Sequence, residues 1–259
     1  MREADAHTIS AEAITSWQLM ERAATKLFEW IKEHLPKERT VTVLAGTGNN
    51  GGDGLALARM LIADGWQVNI YLLSFSEHLS PDCQQNKELL GAQGIVIAEI
   101  RAEQVNNITF GKIVIDAVFG IGLNRPAPKW VQQIFRNLND SNSYVLSVDM
   151  PSGLPTERIP SPEEVWVHPH QVLTFQAPKL PFFLPSTGCY IRKWEVLNIG
   201  LDEHFLKTLH PDFYYLESDI QQLQRRRAKF SHKGTYGHAL LVGGSYGKIG
   251  AVVLSGTAV

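Results

Sequence analysis

This sequence of 259 residues is short of cysteine, of net charge and of long apolar runs, and each shortage excludes something. Cys83 and Cys189 are its two cysteines, enough for one bridge at most. A chain of this size does not need a bridge to fold, so reduced thiols in a cytoplasmic protein are the expectation. Basic and acidic side chains nearly cancel, 24 against 26, for a formal charge of −2. That balance gives no electrostatic footprint for nucleic acid or for an anionic membrane. No run reaches the roughly 18 apolar residues of a membrane span, and the opening MREADAHTIS lacks an apolar signal core. The expectation is a soluble cytoplasmic protein with neither nucleic acid nor membrane among its partners. Hydrophobic residues make up 44% of the chain, enough for one large α/β domain or for one domain and part of another.

The chain is organised around VTVLAGTGNNGGDGLALARML, Val41 to Leu61. Val41 to Leu44 is the β-branched, apolar run of a buried parallel strand. The apolar residues Leu57, Ala58, Met60 and Leu61 then recur at helical spacing. Between the two lies a glycine loop, of a kind that lets backbone N–H groups face outward and a ligand approach without meeting a Cβ. Gly46, Gly48 and Gly51 match G-x-G-x-x-G, the dinucleotide fingerprint. One partner of that fingerprint is missing: the second strand, Gln67 to Leu73, ends in Leu72, Leu73 and Ser74, with no acid to hold a ribose. Asp53 also falls where the helix is expected to start, either as an N-cap or as a site carboxylate.

Around this stretch the pattern alternates. Residues 10 to 35 read as one amphipathic helix capped by Ser10 and ended by Pro36, its wide stripe facing the sheet or a partner subunit. Strands are expected at 67–73, 94–99, 112–119, 144–148 and 172–175, and helices at 81–91 and 129–138. Such alternation implies right-handed crossovers and a mostly parallel sheet covered on both faces, with ligands bound beyond the carboxyl ends of the strands. The unusual polar residues fall there. Asp116 sits inside the apolar run IVIDAVFG and needs either a cation or hydrogen bonds from loop N–H groups. Asp149 ends SVD and is followed by Met150, Pro151, Ser152 and Gly153. Gly120 to Pro126 forms a second glycine-rich loop carrying Arg125, the arginine placed to meet a phosphate.

GTGNNGGDG, VIDAVFGIGLNRP and VLSVDMPSGL together resemble, in order, the three motifs of the NAD(P)H-hydrate epimerases, the N-terminal YjeF family. LMERAA and the QAPKL run with Lys179 fit the same family, which carries further residues ahead of the MREADA stretch. The resemblance implies a Rossmann-like three-layer αβα sandwich over residues 1–200. It implies a substrate site lined by Asn49, Asn50, Gly51, Gly52, Asp53, Gly120, Ile121, Gly122, Leu123, Asn124, Arg125, Pro126 and Asp149. It also implies a potassium ion on the oxygens of Asn50, Asp116 and Ser152, a donor set suited to a hard cation, and a homodimer through the first helix. The implied reaction interconverts the R and S forms of hydrated NADH and NADPH. A carboxylate would protonate the departing hydroxyl and deprotonate the incoming water; partial burial would raise its pKa to suit, and Asp149 is the candidate.

Residues 201–230 read as a polar connector with Phe213-Tyr214-Tyr215 and Arg225-Arg226-Arg227. From 231 to 259, SHKGTYGHALLVGGSYGKIGAVVLSGTAV resembles the opening of the ribokinase-like NAD(P)H-hydrate dehydratases, driven by ADP or ATP. A strand at His238–Val242, a turn at Gly243–Gly244 and a helix from Gly250 are expected there, with Ala251 touching substrate. The stretch holds too little for a core, so dehydration belongs to a longer, bifunctional protein. Two other readings stand beside the epimerase: a non-catalytic binding module of the same fold, and an NAD-dependent dehydrogenase suggested by G-x-G-x-x-G alone.

Overall fold

A computed structural model describes residues 1–36, 40–215, 229–236 and 238–258. They form two compact units, Met1–His210 and Pro211–Val259. The chain opens with α1 (Arg2–Ala11) and α2 (Ser16–His34), where the periodicity predicts one helix. Ala13 is left-handed (φ 52) and breaks the run, so Ser10 lies inside α1 and caps nothing. The cap of α2 is Thr15, whose side chain accepts from Gln18 N while the Gln18 side chain accepts from Thr15 N. The stripe of α2 is spent on the core of its own unit, with Ala24, Leu27 and Ile31 fully buried.

Then follow β1 (Val41–Ala45), α3 (Asn49–Ala63), β2 (Val68–Leu73), α4 (Pro81–Ala92), β3 (Ile97–Ile100), β4 (Ile113–Ala117), α5 (Lys129–Asn139), β5 (Tyr144–Val148), β6 (Gln171–Phe175), α6 (Pro185–Gly188), β7 (Trp194–Leu197) and α7 (Glu203–Thr208). The seven strands form one parallel sheet in the order β3-β2-β1-β4-β5-β6-β7. Alternate residues of each strand feed opposite faces. Val41, Val43 and Ala45 join the core cluster under α2 and α3, whereas Leu44 packs with Val131, Phe135 and Leu138 of α5. The winding reverses between β1 and β4, and a crevice opens at such a switch point.

Three elements escape a reading by pattern: α6, β7 and α7. β7 is four residues long, Trp-Glu-Val-Leu, too short for a period to show, and exists because β6 offers it a ladder. α7 lies in the stretch read as connector. Asp202 caps it, accepting from His204 N at 2.8 Å and Phe205 N at 3.1 Å. Phe205 stacks on His7 of α1 at 4.0 Å, and Asp202 N donates to Thr8 Oγ1 at 3.0 Å. Residues 201–210 therefore tie down the N-terminal helix.

In the second unit α8 (Gly250–Ala258) forms from the glycine onward, as expected. The strand expected at His238–Val242 does not form. Among the described residues nothing pairs with it, and Leu240 and Val242 are each 87% exposed. A strand without a neighbour leaves its N–H and C=O groups to water and has no reason to persist. The tight turn falls at Ser245–Lys248 instead, where Lys248 N donates to Ser245 O at 2.8 Å. Ala251 is exposed on α8, and Arg225 to Arg227 lie outside the described residues.

Candidate active site

The glycine loop works differently from its motif. α3 starts at Asn49 with Gly48 as its uncapped N-cap residue, so Asp53 lies in the second turn and is not the cap. Four of the glycines serve packing. A Cβ on Gly46 would lie 2.1 Å from the Val118 carbonyl oxygen, and one on Gly51 would lie 1.9 Å from the Gly46 carbonyl oxygen. Gly52 abuts Met20, and Gly54 abuts Ala117. Only Gly48 faces open space. Gly51 lets the start of α3 lie against the backbone that follows β1, and Gly52 leaves room for Met20 of α2 and Cys83 of α4. Cys83 belongs to this packing too. Its Sγ lies 3.6 Å from the Gly46 oxygen, and burial pushes its thiol up to about 12, which leaves it inert as a nucleophile.

Asp116, Ser147 and Ser152 meet under the switch point, all fully buried. Parallel register sets Asp116 beside Ser147, whose hydroxyl donates to Asp116 Oδ2 at 2.7 Å. Ser152 N donates to the same oxygen at 2.9 Å, and Val118 N reaches Oδ1 at 3.5 Å. Ser152 Oγ accepts from Val118 N (3.1 Å) and Phe119 N (2.8 Å), holding the start of the second glycine loop. Burial still raises the Asp116 carboxyl above its ordinary range, and these hydrogen bonds offset it in part.

Asp149 and Gln176 end neighbouring strands in the same rare turn. Both have positive φ (62 and 63), and both are spanned by a short bond, Met150 N to Val148 O and Ala177 N to Phe175 O, each 2.7 Å. A γ-turn of this hand is strained, and strain of this kind gathers at functional sites. Lys179 holds both turns. Its buried ammonium pairs with Asp149 Oδ1 at 2.8 Å and donates to Thr174 Oγ1 (2.8 Å), Phe175 O (2.8 Å) and Ala177 O (3.0 Å). Asp149 accepts further bonds from Thr174 Oγ1 (3.2 Å) and Phe175 N (3.3 Å). The motif reading kept Lys179 outside the site. A lysine 30 positions from its carboxylate has no spacing that announces it.

Two cavities of about 160 and 410 Å³ meet at Asp5, Asn49, Asp53, Ile121, Asp149 and Phe175. Lys179 and Asp82 line the smaller, and Asn50, Gly120, Gly122 and Leu123 the larger. A third, of about 340 Å³, continues along Asn124, Thr156, Glu157 and Arg158. Arg125 and Pro126, expected at the ligand, line none of the three. Met1, Asp5 and Ile9 of the N-terminal helix close one wall, and neither composition nor motif pointed to them. Asp53 is half-buried here. Burial first, then the carboxylates of Asp149, Asp5 and Asp82, drive its carboxyl well above the ordinary range. Burial raises Asp5 as well.

That shift has a sign that can be tested. Folded Asp53 keeps its proton to higher pH than the unfolded chain, which titrates near 3.8. The stability it contributes is present below that value and falls as pH rises through the raised one. Asp53→Asn should therefore melt higher than the parent at pH 7–8, the gap closing toward about pH 4; thermal melts across that range check it.

Residues 16–181 match the family described as YjeF-related protein N-terminus. Over 246 residues the chain is 31% identical to the bifunctional NAD(P)H-hydrate repair enzyme Nnr of Coxiella burnetii, spanning 95% of this chain and 50% of that protein. It is 36% identical over 157 residues to the NAD(P)H-hydrate epimerase of Limosilactobacillus fermentum, covering 61% of this chain and 74% of that one. The chain spans about half the length of the bifunctional relatives it matches. The crystal structure of yeast YNL200c shares the fold, with a TM-score of 0.64 and 23% identity over 84% of this chain and 94% of that one. By its fold, and by a match across more than half its length, this chain belongs to the YjeF-related N-terminal family.

Proposed function

We propose that this chain is an NAD(P)H-hydrate epimerase, converting the R and S forms of hydrated NADH and NADPH into one another. The observation that carries it is the Asp149–Lys179 pair at 2.8 Å, held by two strained turns in the wall of a cavity at the sheet's switch point. The family membership and the similarity to a relative named NAD(P)H-hydrate epimerase support the same reading.

The hydroxyl-bearing carbon of the substrate is bonded to a ring nitrogen. Push from the nitrogen lone pair breaks the C–O bond if the hydroxyl leaves as water, giving a flat iminium-like ring. Water then adds to the other face and returns one proton, so atoms and charge balance over the cycle. One group able to give and then take that proton suffices. Asp149 performs this with Lys179, whose fixed positive charge steadies the carboxylate and orients it toward the cavity. Asp53 and Asp5, whose carboxyls burial raises above the ordinary range, line the same space and can feed the pair. The damaged nucleotide is the substrate, and its ring supplies the electrons.

A potassium ion on Asn50, Asp116 and Ser152 fits the donor chemistry of the residues present, provided that Ser152 Oγ releases one of the two N–H bonds it accepts. The donors are a carboxylate, a hydroxyl and an amide, all oxygen. Asn50 is buried with its amide Nδ2 unpartnered, and a half-turn of the amide would present its oxygen there. The ion would offset the buried charge of Asp116 and order the second glycine loop. Thermal melts should rise in potassium chloride over tetramethylammonium chloride at equal ionic strength. The difference should vanish in Asp116→Asn.

In a longer protein, a dehydratase driven by ADP or ATP, which the resemblance of residues 231–259 implies, would consume the S form; the relatives of twice this length are named as bifunctional repair enzymes. The direct test follows purified R-NADPH hydrate by chromatography with and without this chain. Faster approach to the epimer mixture supports the proposal. An unchanged rate with retained nucleotide binding would make the fold a binding module here.

A further inference from the structure

We propose that Arg2, at the start of α1, binds a phosphate group of the nucleotide and so makes the N-terminal helix part of the substrate site. The identity of the nucleotide rests on the epimerase reading; the anion site does not. Arg2 lines both the cavity of about 410 Å³ and the polar cavity of about 340 Å³ beyond it, and among the described residues no other cationic side chain borders both. Its Nη2 lies 3.1 Å from where a Cβ on Gly122 would stand, so the second glycine loop lets the guanidinium approach its backbone closely, and a side chain there would crowd it.

Among the described residues no carboxylate pairs with Arg2. Other arginines are engaged: Arg158, in the outer cavity, gives both terminal nitrogens to Glu164 at 2.7 and 2.6 Å, and Arg22 pairs with Glu12. Glu157 also lines the outer cavity and disfavours an anion there, so the phosphate is expected on the side of Arg2 that faces Gly122. The backbone beneath Arg2 is fixed. Ala4 and Thr8 are buried at 1% and 0% exposure, and Thr8 is bonded to the Asp202 backbone. A planar, always-charged fork on a fixed stem at a cavity mouth is suited to phosphate, which takes two parallel N–H bonds from it.

The phosphate could be the bridging pyrophosphate or the 2′-phosphate that distinguishes NADPH from NADH, and calorimetry separates them. NADP⁺ and NAD⁺ are titrated into the parent protein, Arg2→Gln, Arg2→Lys and, as a surface control on α5, Arg136→Gln. Arg2→Gln should weaken NADP⁺ about tenfold with an unchanged melting temperature, because the side chain is exposed. Arg2→Lys should recover part of that loss, since a point charge lacks the fork. Loss confined to NADP⁺ assigns the 2′-phosphate; equal loss for both assigns the pyrophosphate. Affinities of Arg2→Gln within twofold of the parent for both nucleotides overturn the proposal, as does a parent that binds neither. Epimerisation by the parent is measured alongside. If the parent binds nucleotide through Arg2 but does not epimerise the hydrate, the anion site stands and the activity does not. If it epimerises and Arg2→Gln binds normally, only the role of Arg2 fails.

Discussion

Asp149→Asn is expected to slow epimer interconversion by about 10²- to 10⁴-fold, the range lost when a positioned acid/base is removed. The substitution is close to isosteric, and asparagine tolerates the left-handed backbone that the turn after β5 imposes at φ 62. The Lys179 ammonium keeps Thr174 Oγ1 and the carbonyls of Phe175 and Ala177 as acceptors, so the variant should stay folded. A collapse of rate with intact melting and intact nucleotide binding isolates the chemistry. Chromatography of the R-epimer with parent and variant side by side is the measurement. A variant as fast as the parent would move the proton transfer to Asp53, whose carboxyl already holds its proton above the ordinary range.

The second large effect concerns stability. Gly51→Ala should destabilise the fold by about 3 kcal/mol or more, at the upper end of overpacking changes. Its Cβ would lie 1.9 Å from the Gly46 carbonyl oxygen and 2.6 Å from that carbonyl carbon, which are backbone atoms with no rotamer to give way. Gly46 is itself backed by the Val118 carbonyl, whose oxygen lies 2.1 Å from where a Cβ on Gly46 would stand, which leaves it little room to retreat. To accommodate one methyl, α3 would have to lift off the backbone that follows β1. Gly48→Ala is the contrast. Nothing lies within 4 Å, and its φ of −95 suits any residue. That variant should unfold in urea within about 0.5 kcal/mol of the parent. Any loss there should appear in nucleotide affinity. Comparable urea curves for the two variants would refute the division of the loop into packing and ligand-facing glycines.

That division separates what pattern reading reaches from what it does not. A buried β-branched run, a glycine loop and a helical repeat are local, and they identified β1 and α3. The same holds for the three motifs, whose joint order placed the chain in its family before any contact was known. Asp116 in an apolar run needs partners wherever it folds, so its burial was legible; its partners Ser147 and Ser152 lie 31 and 36 positions away and were joined to it by strand register. The break between α1 and α2 depends on one left-handed alanine, Ala13, a residue with no intrinsic preference for that conformation.

By itself, then, the sequence of this protein determined its class, its parallel winding and the carboxyl-end location of its candidate site, and it singled out the carboxylates Asp53, Asp116 and Asp149, because period, strand-end position and motif order are properties of neighbouring residues. Only the tertiary structure decided the rest. It brought Lys179 to Asp149, raised Asp53 by crowding it with Asp149, Asp5 and Asp82, and swung α1 over the cavity with Arg2 and Asp5 on its inner side. It also spent Gly46, Gly51, Gly52 and Gly54 on close packing rather than on ligand. Each of these depends on distances between residues far apart in the chain, set by where the sheet stacks its strands and not by what precedes or follows a residue.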